Sequence, residues 1–231
     1  QGDRIMIDKM VGKTEVALYG LAYSIGMLVQ LFISGMNSAL TPWMYSKIKK
    51  GDIRSMRKVL QLLSIVVVGI AVALMLISPE LVLIFGSPKY REAVYVIPPV
   101  AASVFFIFIY NILSMPQFYY EKTQFLMAAS MAAAGANVVL NFIFIRLFGY
   151  IAAGYTTLAC YMLYSVGHYI VSKRILVNEG IQENLMNPGF LLACSVFLIG
   201  ASIICNLIFP YRILRYAILL ASAGLVFWKK E

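Results

Sequence analysis

SKIKKGDIRSMRK, residues 46–58, carries Lys47, Lys49, Lys50, Arg54, Arg57 and Lys58 against one acid, Asp52. A long apolar segment ends just before it and another begins just after it. Short loops rich in Lys and Arg stay on the cytoplasmic side of a membrane, because cations resist translocation. The loop therefore orients every span on either side of it. A basic cluster beside a membrane can also hold anionic lipid headgroups.

Working outward, the 231 residues are 61% hydrophobic and 13% charged, with a mean hydropathy of +0.84. A soluble domain is nearer half apolar and a quarter charged. The pattern predicts an all-α fold, a polytopic bundle of about seven transmembrane helices. Spans are expected near Val16–Tyr45, Leu60–Pro79, Val94–Tyr119, Phe125–Arg146, Tyr150–Val171, Gly189–Phe209 and Ile213–Trp228, each close to the ~20 residues that cross a bilayer core. With residues 46–58 inside, Lys122, Lys173, Arg174, Lys229 and Lys230 are also inside, and the N-terminus is outside. The aromatic side chains of Trp43, Tyr45, Tyr119, Tyr120, Tyr150, Tyr211 and Trp228 mark span ends, as in an interfacial belt.

The net charge of +9 resides in loops between spans, and no basic stripe with base-stacking aromatics points to nucleic acid. Cys160, Cys194 and Cys205 lie in apolar runs and read as small hydrophobes, with no disulfide and no metal site expected. No Walker-type phosphate loop, no Ser/His/Asp set and no acid partner for the lone His168 is present, so neither catalysis nor a cofactor is expected. The chain starts Gln1-Gly2-Asp3 and reads as a piece of a longer protein.

Polar residues inside spans are costly in lipid and turn to the protein interior or to a wet cavity. In the first span Tyr19, Tyr23, Gly26, Gln30, Ser34, Asn37 and Thr41 follow at steps of three or four, which is one helical face. Ser103, Tyr110, Ser114 and Gln117 share a face in the third span. Ser130, Asn137 and Asn141 do so in the fourth, and Tyr161, Tyr164 and His168 in the fifth. Each stripe alone reads as interhelical hydrogen bonding. Together they predict a polar cavity shared by spans one, three, four and five. None of the stripes holds a carboxylate, which suits sugars better than a proton relay. Leu60–Pro79 and Ile213–Trp228 are apolar nearly all round and are expected to face lipid. Ala128, Ala129, Ala132, Ala133, Ala134, Gly135 and Ala136 are expected at a close helix contact.

Several stretches now read together. Asp3-Arg4-Ile5-Met6-Ile7, Gly12 and Val16-Ala17-Leu18-Tyr19 precede a long span that ends near Pro42, before Gly51-Asp52. Leu83-Ile84-Phe85-Gly86-Ser87-Pro88-Lys89-Tyr90 and Ala93 form an outer loop. Asn137-Val138-Val139-Leu140-Asn141 is followed by Phe148-Gly149-Tyr150-Ile151-Ala152-Ala153-Gly154. Over about residues 3–175 this order resembles polysaccharide flippases of the Wzx type, in the superfamily of multidrug, oligosaccharidyl-lipid and polysaccharide exporters.

The resemblance implies the C-terminal lobe of a two-lobed transporter, with residues 1–15 closing a preceding span and an outer loop, 16–172 forming a five-helix part, and 173–231 an inner loop and two terminal spans. It implies undecaprenyl-pyrophosphate-linked oligosaccharide as substrate, the bacterial inner membrane as location, and the missing N-terminal lobe and the lipid bilayer as partners. A pyrophosphate in a low-dielectric bundle needs cations. Arg4 is the first choice, Arg146 the second, with Gln30, Asn37, Tyr110, Asn137, Asn141 and His168 contacting sugars. An ion-coupled multidrug exporter of the same superfamily, or a membrane enzyme acting on lipid-linked sugars, are the alternatives.

Overall fold

The computed structural model describes residues 2–228, with side chains as far as Ala221. Lys229 and Lys230, placed inside above, lie outside the described residues, as does the side chain of Trp228. Among the described residues every regular element is helical: α1 (Gly2–Met10), α2 (Lys13–Gly26), α3 (Leu28–Lys49), α4 (Ile53–Phe85), a 3-10 helix (Pro88–Val96), α5 (Ile97–Tyr119), α6 (Gln124–Phe148), α7 (Ala152–Asn178), α8 (Pro188–Ile208) and α9 (Arg212–Trp228).

The basic loop is a tight turn with a mechanism. Gly51 adopts φ +67°, a left-handed conformation that glycine tolerates. Asp52 then caps α4, accepting from the Ser55 amide at 3.3 Å and from Lys47 Nζ at 2.6 Å. The loop joins its own end of the bundle. Arg54 pairs with Glu183 and Arg57 Nε donates to the Asn184 carbonyl at 2.7 Å, while Lys122 pairs with Glu179 at 2.6 Å. Residues 46–58, the α5–α6 turn and the α7–α8 connection thus share one end, as the topology requires.

Among the described residues five stretches are long and apolar enough to cross a membrane: Lys13–Lys49, Ile53–Phe85, Pro88–Tyr119, Gln124–Phe148 and Pro188–Ile208. Two of the seven expected spans fall outside this set for different reasons. With 17 residues, α9 is short. Although α7 has 27 residues, about 40 Å of helix, its core is broken by Thr156, Thr157, Tyr161, Tyr164, Ser165 and His168. Its main packing is against α5 and α6, both of which do meet the criterion, so it runs alongside them with its polar face turned inward. The first expected span is two helices. Where α2 ends, Gly26 sits so close to α5 that a Cβ there would meet Val100 Cγ1 at 2.6 Å. Close approach at the joint requires glycine, and the chain restarts as α3 one residue later.

At the centre stands α5, with 89% of its apolar window buried against α3, α4, α7 and α8. Two expectations about faces are corrected. Far from facing lipid all round, α4 buries Met56, Leu60, Ser64, Val67, Ala71 and Val82 along one face. Lipid and packed helix are equally apolar, so hydropathy cannot reveal that face. The Ala-rich segment of α6 is mostly exposed, with Ala128, Ala132, Ala134 and Gly135 open at the surface and nothing within 4 Å of a Cβ built on Gly135.

Candidate functional site

Short as it is, α1 brings a carboxylate into the bundle. Asp3 lies in its first turn, where free backbone N–H groups and the helix dipole favour an acid. Four residues on, on the same face, Ile7 is fully buried. Packing of α1 between α2 and α6 aims that face inward. Asp3 Oδ2 accepts from the Tyr19 hydroxyl of α2 at 2.7 Å and from Thr157 Oγ1 of α7 at 3.2 Å. Asp3 Oδ1 accepts from Asn141 Nδ2 of α6 at 2.6 Å. Asn141 is itself fixed, since Thr156 Oγ1 donates to its carbonyl oxygen and its amide also reaches Asn137 Oδ1 at 3.1 Å. Four helices thus converge on one carboxylate. Every donor is neutral, and no Lys or Arg pairs with Asp3 among the described residues.

Asp3 opens into a pocket of about 380 Å³ whose walls carry Tyr23, Tyr110, Ser130, Asn137, Thr157, Tyr161 and Tyr164. Tyr110 stacks on Tyr161 (centroids 6.2 Å apart, planes 5° apart) and meets Tyr164 edge-on at 4.8 Å. Ser130 Oγ and the Tyr164 hydroxyl are 2.9 Å apart. Tyrosine rings and hydroxyls, an amide and a carboxylate can hold a polyhydroxylated or cationic ligand by hydrogen bonds and ring faces.

The predicted site residues divide. Tyr110 and Asn137 line the pocket, and Asn141 lies beneath it, fully buried, on Asp3. His168 is buried one layer further, its ring 4.4 Å from that of Tyr164 and its Nδ1 2.8 Å from Gln117 Nε2. An amide N–H facing Nδ1 assigns the ring proton to Nε2, which has no partner. Arg4 is exposed, makes no ion pair with Asp3 or Asp8, and spreads its guanidinium 5.9 Å from the centre of the Tyr23 ring. Arg146 is also exposed but stacks 4.0 Å above exposed Phe142 on its own helix, away from the pocket. Gln30 and Asn37 sit half-buried on α3 outside the pocket, each with a side-chain oxygen that has no partner. Ser103 and Ser114 bond carbonyls of their own helix, so they add no polarity to a cavity.

The sequence reading placed no carboxylate at the stripes, and Asp3 corrects it. The signal was present: Asp3, Met6, Ile7 and Met10 follow at helical spacing, so the acid belongs to an apolar, inward face.

A bundle of helices long and apolar enough to cross a membrane, built round a polar pocket with an embedded carboxylate, is that of a polytopic integral membrane protein with a candidate binding site. The family profile of MatE matches residues 3–143, and the chain belongs to that family. It is also 32% identical over 132 residues, 54% of its length, to an uncharacterized membrane protein of Haemophilus influenzae (strain ATCC 51907 / DSM 11121 / KW20 / Rd), covering 31% of that relative. The chain therefore spans about a third of the length of the curated relative it matches. No solved structure matches it. MatE proteins are transporters of the superfamily that holds both flippases and multidrug exporters.

Proposed function

We propose that this chain is one lobe of a multi-pass inner-membrane flippase for polyprenyl-pyrophosphate-linked oligosaccharides, and that Asp3 takes up the proton or monovalent cation that drives it. The observation that carries the reading is a carboxylate without a counter-cation at the foot of a tyrosine-lined pocket. A negative charge in a low-dielectric bundle held only by neutral donors has unmet demand for a positive partner. Uptake of a cation satisfies Asp3 and changes what Tyr19, Asn141 and Thr157 are bonded to, which ties cation binding to the packing of α1, α2, α6 and α7. Sugars occupy the tyrosine pocket, while Arg4, whose guanidinium lies 5.9 Å from the centre of the Tyr23 ring, holds the pyrophosphate in bidentate fashion. Arg146, set on the lipid side, serves as an interfacial anchor.

A second reading has its own observation. A carboxylate beside four tyrosines also suits an organic cation, so ion-coupled export of such compounds fits the same pocket. The deciding experiment reconstitutes the full-length protein in liposomes and follows a fluorescent lipid-linked oligosaccharide and ethidium separately. Flippase function predicts movement of the lipid-linked sugar, abolished by Arg4→Ala and partly restored by Arg4→Lys at equal protein levels. Movement of ethidium alone, indifferent to Arg4, makes the protein an exporter of cations.

A further inference from the structure

At the end of the bundle opposite the basic loop, the last turns of α4, the 3-10 helix and the start of α9 enclose a separate pocket of about 640 Å³. Three guanidinium groups line it: Arg91, Arg212 and Arg215. Glu80 and Glu92 line it too. Glu80 is already satisfied. Arg215 Nη1 and Nη2 each donate to it at 2.8 Å, and the Tyr216 hydroxyl donates at 3.0 Å. Arg215 is 3% exposed and spends Nη1 also on the Leu76 carbonyl at 2.6 Å, yet its Nε is buried with no partner. Arg91 and Arg212 are exposed and make no ion pair among the described residues, with only Glu92 to offset them. Arg212 also opens α9, whose first N–H groups lack intrahelical acceptors and present the positive end of the helix dipole. One unmet buried donor, a guanidinium group (Arg91) and a second that lies over the Tyr216 ring (Arg212, 5.6 Å from its centre), neither with a carboxylate partner, and a helix N-terminus call for an anion with several oxygens.

Depth says which anion. The chain crosses from the basic loop along α4 to reach this pocket, so it sits at headgroup level of the far leaflet. Leu83, which lines it, and its neighbours Ile84 and Phe85 are exposed apolar surface. We propose that this pocket binds the phosphate of an anionic phospholipid, with Arg91 and Arg212 on the phosphate, Arg215 as the fixed floor, and an acyl chain laid along Leu83–Phe85. The site is independent of the Asp3 pocket and of whatever that pocket carries.

The test measures binding of phosphatidylglycerol to the delipidated full-length protein by native mass spectrometry, and its protection against thermal unfolding. Phosphatidylethanolamine and inorganic phosphate serve as the other arms. Arg91→Gln/Arg212→Gln changes exposed side chains and leaves the buried Arg215–Glu80 pair intact. Lys173→Gln/Arg174→Gln removes two exposed cations from the opposite end. Phosphatidylglycerol should bind the first variant about 30-fold more weakly than wild type, on the scale of two interfacial cations, and the second unchanged. Equal weakening in both variants, or in neither, overturns the site. Protection of wild type by inorganic phosphate alone, lost in the first variant, keeps a phosphate site but overturns its assignment to lipid.

Discussion

Asp3 in α1 and Glu80 in α4 are carboxylates held in opposite ways. Glu80 faces a guanidinium that grips both its oxygens, with a tyrosine completing the set. Its charge is cancelled where it stands, and the pair ties α9 to α4. Asp3 has a tyrosine, an asparagine and a threonine, all neutral, and opens into a pocket. In the first arrangement the carboxylate is complete and gains nothing from a further cation. The second positions the carboxylate and leaves its charge unanswered. Charge inside a membrane protein is therefore read from the partner and not from the residue: a cancelled charge is a fastener, an uncancelled one a binding group.

The contrast predicts opposite consequences. Arg215→Met should cost about 3 kcal/mol of stability, more than 100-fold in the folding equilibrium, because Glu80 is left without its counter-charge. The figure belongs at the lower end of the usual range, since the Glu80 side chain keeps 26% exposure. Glu80→Gln/Arg215→Met should recover much of the loss. Unfolding midpoints in mixed micelles measure both. A double variant no better than Arg215→Met would show that Arg215 acts through packing and its bond to Leu76, not through charge.

Asp3→Asn should do the reverse. One oxygen and the shape are kept, so stability should move by about 1 kcal/mol or less, while cation-driven transport should fall about tenfold or more, because the group proposed to take up the cation has lost its charge. Transport by the reconstituted full-length protein and its unfolding midpoint are read together. Loss of stability as large as that of Arg215→Met would erase the distinction between fastener and binding group.

How far all this was legible depends on what sequence encodes. Helical class, the two-ended charge pattern and the polar stripes follow from composition and spacing, and Tyr23, Tyr110, Asn137, Tyr161 and Tyr164 do meet at one pocket. Burial was not legible. The stretches Pro88–Tyr119 and Gln124–Phe148 are both apolar enough to cross a membrane, yet 89% of the apolar part of one and 11% of the other is buried. In lipid both positions are equally apolar, so only packing distinguishes them. The break between α2 and α3 was hidden because it arises from the contact of Gly26 with Val100, a partner 74 positions away. Asp3 was missed because it lies on a helix of 9 residues, too short for a span and adjacent to an arginine that reads as its local partner.

A third carboxylate places the contrast outside the membrane, where its effect should be smallest. Asp52 caps α4 in the basic loop, and the hydrogen bond from Lys47, reinforced by the Ser55 amide and opposed by burial, holds its carboxyl below the ordinary value of 3.8. A lowered value in the folded state means the pairing stabilises fully above pH 3.8 and is lost as pH falls through the folded value. Asn caps a helix as well as Asp does, so Asp52→Asn removes the ion pair and keeps the cap. The midpoint difference between wild type and Asp52→Asn should be small and constant from neutral pH down to about pH 5, then vanish as the wild-type carboxyl protonates. Solvent screening keeps it small, because the Asp52 side chain is 41% exposed. A difference that persists unchanged at pH 3 would show that the loop is held by the cap alone, and that cancelling a charge matters in this protein only where water is excluded.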